Sequence, residues 1–284
     1  MAINTQVGRA EWSHYYRLPA RSSIEALHAR FVTHRYVKHV HDYLVVGLIE
    51  SGAQAYWYRG TRHITPEGHV FLVNPGEPHT GESATPGGYL YRTLNVPKNF
   101  LLQLAQEMGF TDVPHFKGAV LGDANLVDLL RGVHRCLIER GSPVECETRI
   151  FRAVAHLIQN HSHGSAGYPA FGNAGPAIRR AREYLESRFS EAISLSDLAA
   201  VVGLSPFYLA RSFDRQIGVP PHSYLEGVRI RKARELLDQG AELADTAIAV
   251  GYSDQSHLTR RFKRFLGITP GQYLRESKIR QYGR

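Results

Sequence analysis

A chain of 284 residues with 43% hydrophobic content is long enough to bury a core in each of two domains, and its net charge of +8 suits a polyanionic partner. Its two cysteines, Cys136 and Cys146, lack CxxC spacing, which excludes a disulfide scaffold or zinc finger and leaves two reduced packing residues as the expectation. A polar opening segment, and no apolar run of membrane-spanning length, argue against a secretory signal and a membrane anchor and predict a cytoplasmic protein.

Residues 26–98 fall into short β-branched and aromatic runs broken by turn residues: ALHARFVTHRYV, YLVVGLIE, AQAYWYRG, HVFLVNPG and YLYRTLNV. Strands at this spacing predict an antiparallel sandwich or small barrel. Alternation puts Tyr56 and Tyr58 on one strand face and Trp57 on the other, and it separates Tyr89 and Tyr91 from Leu90, without fixing which face looks inward. Aromatic walls with polar tips suit a sugar, an amino acid or an aromatic metabolite, and they equally suit a barrel core. Tyr91 and Arg92 add attraction for an anionic ligand.

From Phe100 the hydrophobic period becomes helical. FLLQLAQEM is followed by Asn125 to Glu139, with Leu126, Leu129, Leu130, Val133 and Leu137, and by Glu145 to Gln159, with Ile150, Phe151, Val154, Leu157 and Ile158. These stripes either pack on the barrel or leave one face for a partner subunit.

Residues 161–177 are dense in Gly, Ser, Pro and Asn, the composition of a linker, and divide a domain at 1–160 from one at 178–284. Beyond the linker the pattern is helical throughout, at 178–189, 194–202, 205–217, a long 222–239, 243–250, 254–266 and 270–277. That makes seven helices in two trios around a shared rod. Charge is unevenly placed: residues 176–284 hold 18 Lys+Arg against 12 Asp+Glu, residues 1–175 hold 16 against 14, and 13 of the 15 histidines lie in the first part.

The helical region says nearly the same thing twice. Leu195, Asp197, Ala199, Val202, Gly203, Ser205, Leu209, Arg211, Phe213, Gly218, Pro221, Tyr224 and Leu225 are echoed by Leu243, Asp245, Ala247, Val250, Gly251, Ser253, Leu258, Arg260, Phe262, Gly267, Pro270, Tyr273 and Leu274. Ser194 with Asp197 fits a capping box, Ser205-Pro206 opens a helix, and Gly203 and Gly251 mark the sharp turn between two helices. Each phrase outlines a helix-turn-helix.

In the second helix of each unit, Leu209, Phe213 and Ile217, and likewise Leu258, Phe262 and Leu266, recur four apart and define a buried face. The opposite face offers Phe207, Ala210, Arg211 and Arg215 in the first unit and Gln255, Ser256, Thr259, Arg260 and Lys263 in the second. Arg can bond guanine O6 and N7 together, Gln can pair with adenine, and Ser or Thr can reach a base edge or a phosphate, so the second unit is the richer base reader. The other basic residues, among them Arg229, Arg261 and Arg264, are expected to be solvated or phosphate-facing.

With these residues in place, 178–280 resembles the paired helix-turn-helix domain of the AraC/XylS family of bacterial transcription regulators, most closely over Ala247–Leu274. The resemblance implies two recognition helices entering successive major grooves, with Phe207, Ala210, Arg211, Gln255, Ser256, Thr259 and Arg260 at base-facing positions. Upstream, His39-Val-His41-Asp42-Tyr43 and Pro75-Gly76-Glu77-Pro78-His79 resemble the two motifs of a cupin barrel, which such regulators carry as an effector-sensing domain. The resemblance also implies an arm before Ile24 that closes the pocket. Metal cupins place a Glu four residues beyond HxH, where this chain has Val45.

The sequence therefore predicts an α+β protein: an N-terminal cupin-like β-barrel with packed helices, and a C-terminal all-α double helix-turn-helix domain. It is read as a ligand-responsive regulator binding promoter DNA, not an enzyme, with RNA polymerase and a second copy of the chain as further partners. His39, His41, Tyr43, Tyr56, Tyr58, His79 and Tyr91 are the expected effector contacts. No cofactor is assigned, and the three histidines are read as polar effector contacts or satisfied core groups in preference to metal ligands. A metal-dependent cupin enzyme with an attached DNA-binding module and an effector-independent DNA binder are the rival readings.

Overall fold

The computed structural model of the chain describes residues 11–17, 24–162, 174–266 and 268–275. It divides into two units, Met1–Ile138 with Arg149–Pro169, and Glu139–Thr148 with Ala170–Arg284. The division departs from an uninterrupted 1–160 domain because the start of one helix is tied into the second unit. There Val144 N–H bonds Ile193 O, and Ser196 N–H bonds the Glu147 carboxylate, both at 3.0 Å. Residues 163–173, most of the expected linker, lie outside the described residues.

Among its described residues the first unit holds nine strands: β1 (Trp12–Arg17), β2 (Glu25–Phe31), β3 (Tyr36–His39), β4 (Tyr43–Tyr58), β5 (Thr61–Pro66), β6 (Val70–Val73), β7 (His79–Ser83), β8 (Tyr89–Pro97) and β9 (Val120–Leu121). Every pairing is antiparallel, as expected for a barrel with one solvated face. The 16-residue β4 organises them. Its first part pairs with β8 and β6, and its last part with β5 and β7. Between the two parts lies a β-bulge: Ile49 opposes Tyr91 and Ser51 opposes Leu90, so Glu50 has no partner on β8. Its carboxylate instead accepts Arg92 Nε at 2.8 Å and Arg131 Nη2 at 2.8 Å. Arg92 is thus turned to a carboxylate and not to a ligand, contrary to the role suggested for it beside Tyr91.

Helix α1 (Lys98–Glu107) leaves β8 directly and buries Leu101, Leu104 and Ala105. In α2 (Ala124–Ile138) and α3 (Pro143–His161), Leu126, Leu130, Val133, Ile150, Phe151, Val154, Leu157 and Ile158 are all buried within the single chain. These positions belong to the core, while Leu129 and Leu137 of the same stripe are half-buried and Ile138 is exposed. Cys136 and Cys146 are both buried and neither is a free thiol, which corrects the expectation of reduced packing residues. Of the expected N-terminal arm, only residues 11–17 are described, and Trp12–Arg17 pair with β2.

The second unit contains α4 (Gly175–Ser187), α5 (Leu195–Val202), α6 (Pro206–Ile217), α7 (Pro221–Asp238), α8 (Leu243–Ala249) and α9 (Gln255–Leu266), with a further helical stretch at 270–275. Start signals act as read: Ser194 Oγ accepts Asp197 N–H, and Ser205 Oγ accepts Tyr208 N–H with Pro206 in the first turn. The repeated phrase also makes the same contact twice, since Phe213 meets Tyr224 and Phe262 meets Tyr273, each with ring centroids 5.7 Å apart and edge-inclined. The α7 residues Ile230, Ala233 and Leu237 share a core with Ala247, Val250, Leu258 and Phe262, which makes α7 the supporting rod of the second helix-turn-helix.

Candidate functional site

A cavity of about 110 Å³ opens within the first unit, comparable to the ~150 Å³ apolar cavity that holds benzene, so it has room for a small organic molecule. His39, His41, Tyr43, Tyr56, His79 and Tyr91, all named from the sequence, line it. Tyr58 does not, and its assignment as an effector contact is corrected. Its hydroxyl is bonded to the Glu77 carboxylate and accepts Asn74 Nδ2–H at 2.9 Å, so the ring closes the core with its polar end already satisfied.

The bulge in β4 explains which residues look inward. Tyr43 and Val45 line the cavity before it and Gln54 and Tyr56 after it, a change from odd to even positions that one extra residue produces. Trp57, on the other face, is 54% exposed. Alternation from Tyr56 points to Gln54, a signal the sequence reading left unused, while the change of phase between Val45 and Gln54 is visible only in the pairing. Tyr15, Tyr36, Thr93 and Asn95 also escaped the sequence reading. For Thr93 and Asn95 the signal was present, because they continue the Tyr89-Tyr91 alternation along β8. Tyr36 and Tyr91 join their hydroxyls at 2.9 Å, linking β3 to β8 across the wall.

Three imidazoles meet in this cavity, and β3 and β7 place His39 opposite His79 in register. His39 Nδ1 lies 2.8 Å from Val37 O, His41 Nδ1 2.9 Å from Tyr43 O, and His79 Nδ1 3.1 Å from Glu77 O. A carbonyl only accepts, so Nδ1 is the donor in each ring and Nε2 is turned away from these bonds. Burial pushes His79 down to about 4 and lowers His41 as well, holding these two rings neutral at neutral pH. The ligand atoms of the three lie within 4.8 Å of one another. As a donor set, three imidazoles whose Nδ1–H groups are each held by a carbonyl fit zinc, copper or nickel. Val45, 8% exposed on the cavity wall, contributes no carboxylate.

In the second unit, Gln255, Ser256, Arg260 and Lys263 are exposed on α9 and Thr259 is half-buried, while His257, Leu258, Arg261 and Phe262 form the inner side. On α6, Phe207 and Arg211 are half-buried and Arg215 is exposed. Ala210, however, is only 7% exposed, which corrects its placement among base-facing residues. At 100° per residue it stands about 60° from Phe213, inside the buried arc and not opposite it. Two arginines expected at the surface are buried too. Arg229 donates to Phe189 O and Glu191 O at 2.7 and 2.8 Å, and Arg261 joins Glu145 and Glu226.

A barrel with a ligand-sized cavity, joined in one chain to paired helix-turn-helix units, defines the class: a transcription regulator with a ligand-binding domain and a DNA-binding domain. Residues 21–154 match the family model for the AraC-like ligand binding domain, and residues 198–276 match that for a helix-turn-helix domain. The chain is 32% identical over 236 residues to the HTH-type transcriptional regulator YbfI of Bacillus subtilis (strain 168), covering 83% of this chain and 86% of YbfI. It is 23% identical over 243 residues to the HTH-type transcriptional activator RhaS of Klebsiella pneumoniae (strain 342), covering 84% and 87%. Among solved structures it resembles the C-terminal domain of AraT, a response regulator from Geobacillus stearothermophilus, with 33% identity, 37% of this chain and 88% of that one covered, and a TM-score of 0.35. The chain belongs to the AraC family of transcriptional regulators.

Proposed function

We propose that a small polar organic molecule occupies the cavity of the first unit and shifts the chain between DNA-competent and DNA-incompetent states. The observation that carries this reading is the composition of the cavity wall. Three imidazoles, Gln54, Asn95 and aromatic faces in one pocket suit a hydroxyl-rich or amine-bearing ligand flanked by apolar surface. Regulation requires that the ligand bind the two states unequally, because equal affinity shifts nothing.

On the DNA side, Gln255, Ser256, Thr259, Arg260 and Lys263 of α9 read one major-groove segment, while Phe207 and Arg211 of α6 anchor a neighbouring one. Exposure of the α9 set supports its part of the reading. Family membership supports the remaining elements: a homodimer, contact with RNA polymerase, and activation in place of repression, as in the name carried by the RhaS relatives. With no helix among the described residues long and apolar enough to cross a membrane, action on DNA in the cytoplasm is the consistent setting.

A thermal-shift screen of sugars, amino acids and aromatic metabolites on the full chain tests the effector. A ligand at 100 times its Kd stabilises by about 2.7 kcal/mol. The expected hit loses its effect in Gln54→Ala and changes affinity for a promoter fragment in an anisotropy titration. No stabilisation across the panel favours an effector-independent binder.

The imidazole geometry favours one second reading, in which His39, His41 and His79 hold a transition-metal ion that itself contacts the effector. Elemental analysis of protein purified without an affinity tag separates the two, since a stoichiometric metal lost in His79→Gln supports the second. Turnover of a substrate by that metal form would revive the enzymatic alternative.

A further inference from the structure

Outside the cavity, the first unit holds another group of convergent ligand atoms. Asp123 lies immediately before α2, and its Oδ1 accepts the Leu126 amide at 3.0 Å as a helix cap. That bond fixes the carboxylate. The second oxygen, Oδ2, is 2.8 Å from His156 Nε2 and 2.7 Å from His161 Nε2, both on the last turns of α3. The two rings stand 6.4 Å apart and meet on this one oxygen. Ligand atoms of all three residues lie within 4.8 Å of one another, and the side chains are only 17%, 23% and 23% exposed.

We propose that Asp123, His156 and His161 form a binding site for a divalent transition-metal ion, distinct from the effector cavity, that clamps the start of α2 to the end of α3. Two nitrogens and one carboxylate oxygen make a borderline donor set, suited to zinc, copper or nickel and unsuited to calcium or magnesium, which take oxygen ligands. Three protein ligands leave the fourth tetrahedral position to water.

Without metal, each Nε2–H donates to the shared oxygen. On binding, a neutral imidazole moves its proton to Nδ1, a protonated one releases a proton to solvent, and bonds form from both Nε2 atoms and Oδ2 to the ion. Ligands about 2.0–2.1 Å from a tetrahedral ion are roughly 3.3 Å from each other, so the present contacts open by about half an ångström to admit it. Side chains that are partly exposed at the end of a helix can make that movement.

Zinc titration of the metal-stripped full chain, purified without an affinity tag and in competition with a chromophoric chelator, tests the site. A His39→Gln/His79→Gln parent removes two of the three cavity imidazoles and leaves His41 alone there. This parent is expected to bind one equivalent of zinc, and with cobalt in its place to show visible ligand-field absorption. Asp123→Asn keeps a competent helix cap while weakening the ligand, and His161→Gln removes one. Each is expected to lower zinc affinity at least tenfold and to abolish the zinc-dependent rise in Tm. In the otherwise unaltered chain, His156→Gln/His161→Gln is expected to lose one equivalent. A parent that retains no zinc, or stoichiometry and affinity unchanged by these substitutions, overturns the proposal and leaves the three residues as a hydrogen-bonded helix clamp.

Discussion

Arg261 and Glu145 approach to 3.1 Å with side chains only 4% and 5% exposed, and Glu226 lies 3.4 Å from the same guanidinium. One cation therefore neutralises two buried carboxylates. Burial raises Glu226 above its ordinary carboxylate value, and Arg261 is the largest influence opposing that rise. Arg261→Ala removes the guanidinium that Glu145 and Glu226 share and is expected to lower the unfolding free energy by about 3–5 kcal/mol, whereas Glu145→Gln leaves Arg261 with Glu226 and loses less. Urea unfolding of the two variants, followed through the helical signal, gives the order.

Base reading is expected to follow exposure on the recognition helices. Arg260→Ala should weaken specific DNA binding by about 1–3 kcal/mol and relax preference at one base pair. Ala210→Leu should leave the sequence preference of the folded protein unchanged and reduce stability by about 1–3 kcal/mol, because Ala210 is packed inside. Anisotropy titrations against a panel of single-base operator variants, paired with thermal melts, distinguish the two outcomes.

The two turn glycines differ although the sequence repeats them. Gly203 has φ +69 and open space where a Cβ would go; Gly251 has φ +83 and a Cβ there would meet Ser190 O at 2.4 Å. Gly203→Ala should cost about 1–2 kcal/mol, the ordinary penalty of a left-handed alanine. Gly251→Ala should cost clearly more, because backbone must move. Comparing denaturation midpoints of the two variants checks the inequality.

Acid should destabilise the first unit before its carboxylates titrate. Burial lowers His79 to about 4 and His134 to about 3 from an ordinary 6.5. Between those values and 6.5 the unfolded chain binds protons that the folded chain does not, so stability is full above about 6.5 and falls as pH drops. Each such histidine contributes a slope of about 1.4 kcal/mol per pH unit over its window. Urea midpoints measured at pH 7, 6 and 5 should decline, and His134→Gln should flatten the decline.

Periodicity and capping made the helical half readable: Ser194, Ser205, Gly203 and the paired Phe and Tyr positions all act as their local chemistry dictates. What escaped was tertiary. Arg229 and Arg261 have the composition of a DNA-facing surface, and only the fold shows them spent on carbonyls and carboxylates inside the unit. Ala210 failed because an alanine tolerates either side of a helix and the buried arc is wider than the leucine row suggests. In the barrel, the cavity histidines were legible from HxH and the later His, whereas the exclusion of Tyr58 rests on its bonds to Glu77 and Asn74, and the opposite phases of Val45 and Gln54 on a bulge whose position no alternation pattern reveals.

That bulge at Glu50 also restricts how this family member can diversify. Because β4 serves four neighbouring strands and changes phase at one residue, inserting or deleting a single position within Tyr43–Tyr58 would exchange cavity lining for outer surface along part of the strand. New ligand preferences can therefore arise by substitution at Val45, Gln54 or Tyr56, while changes of length are confined to the connections beyond the strand ends.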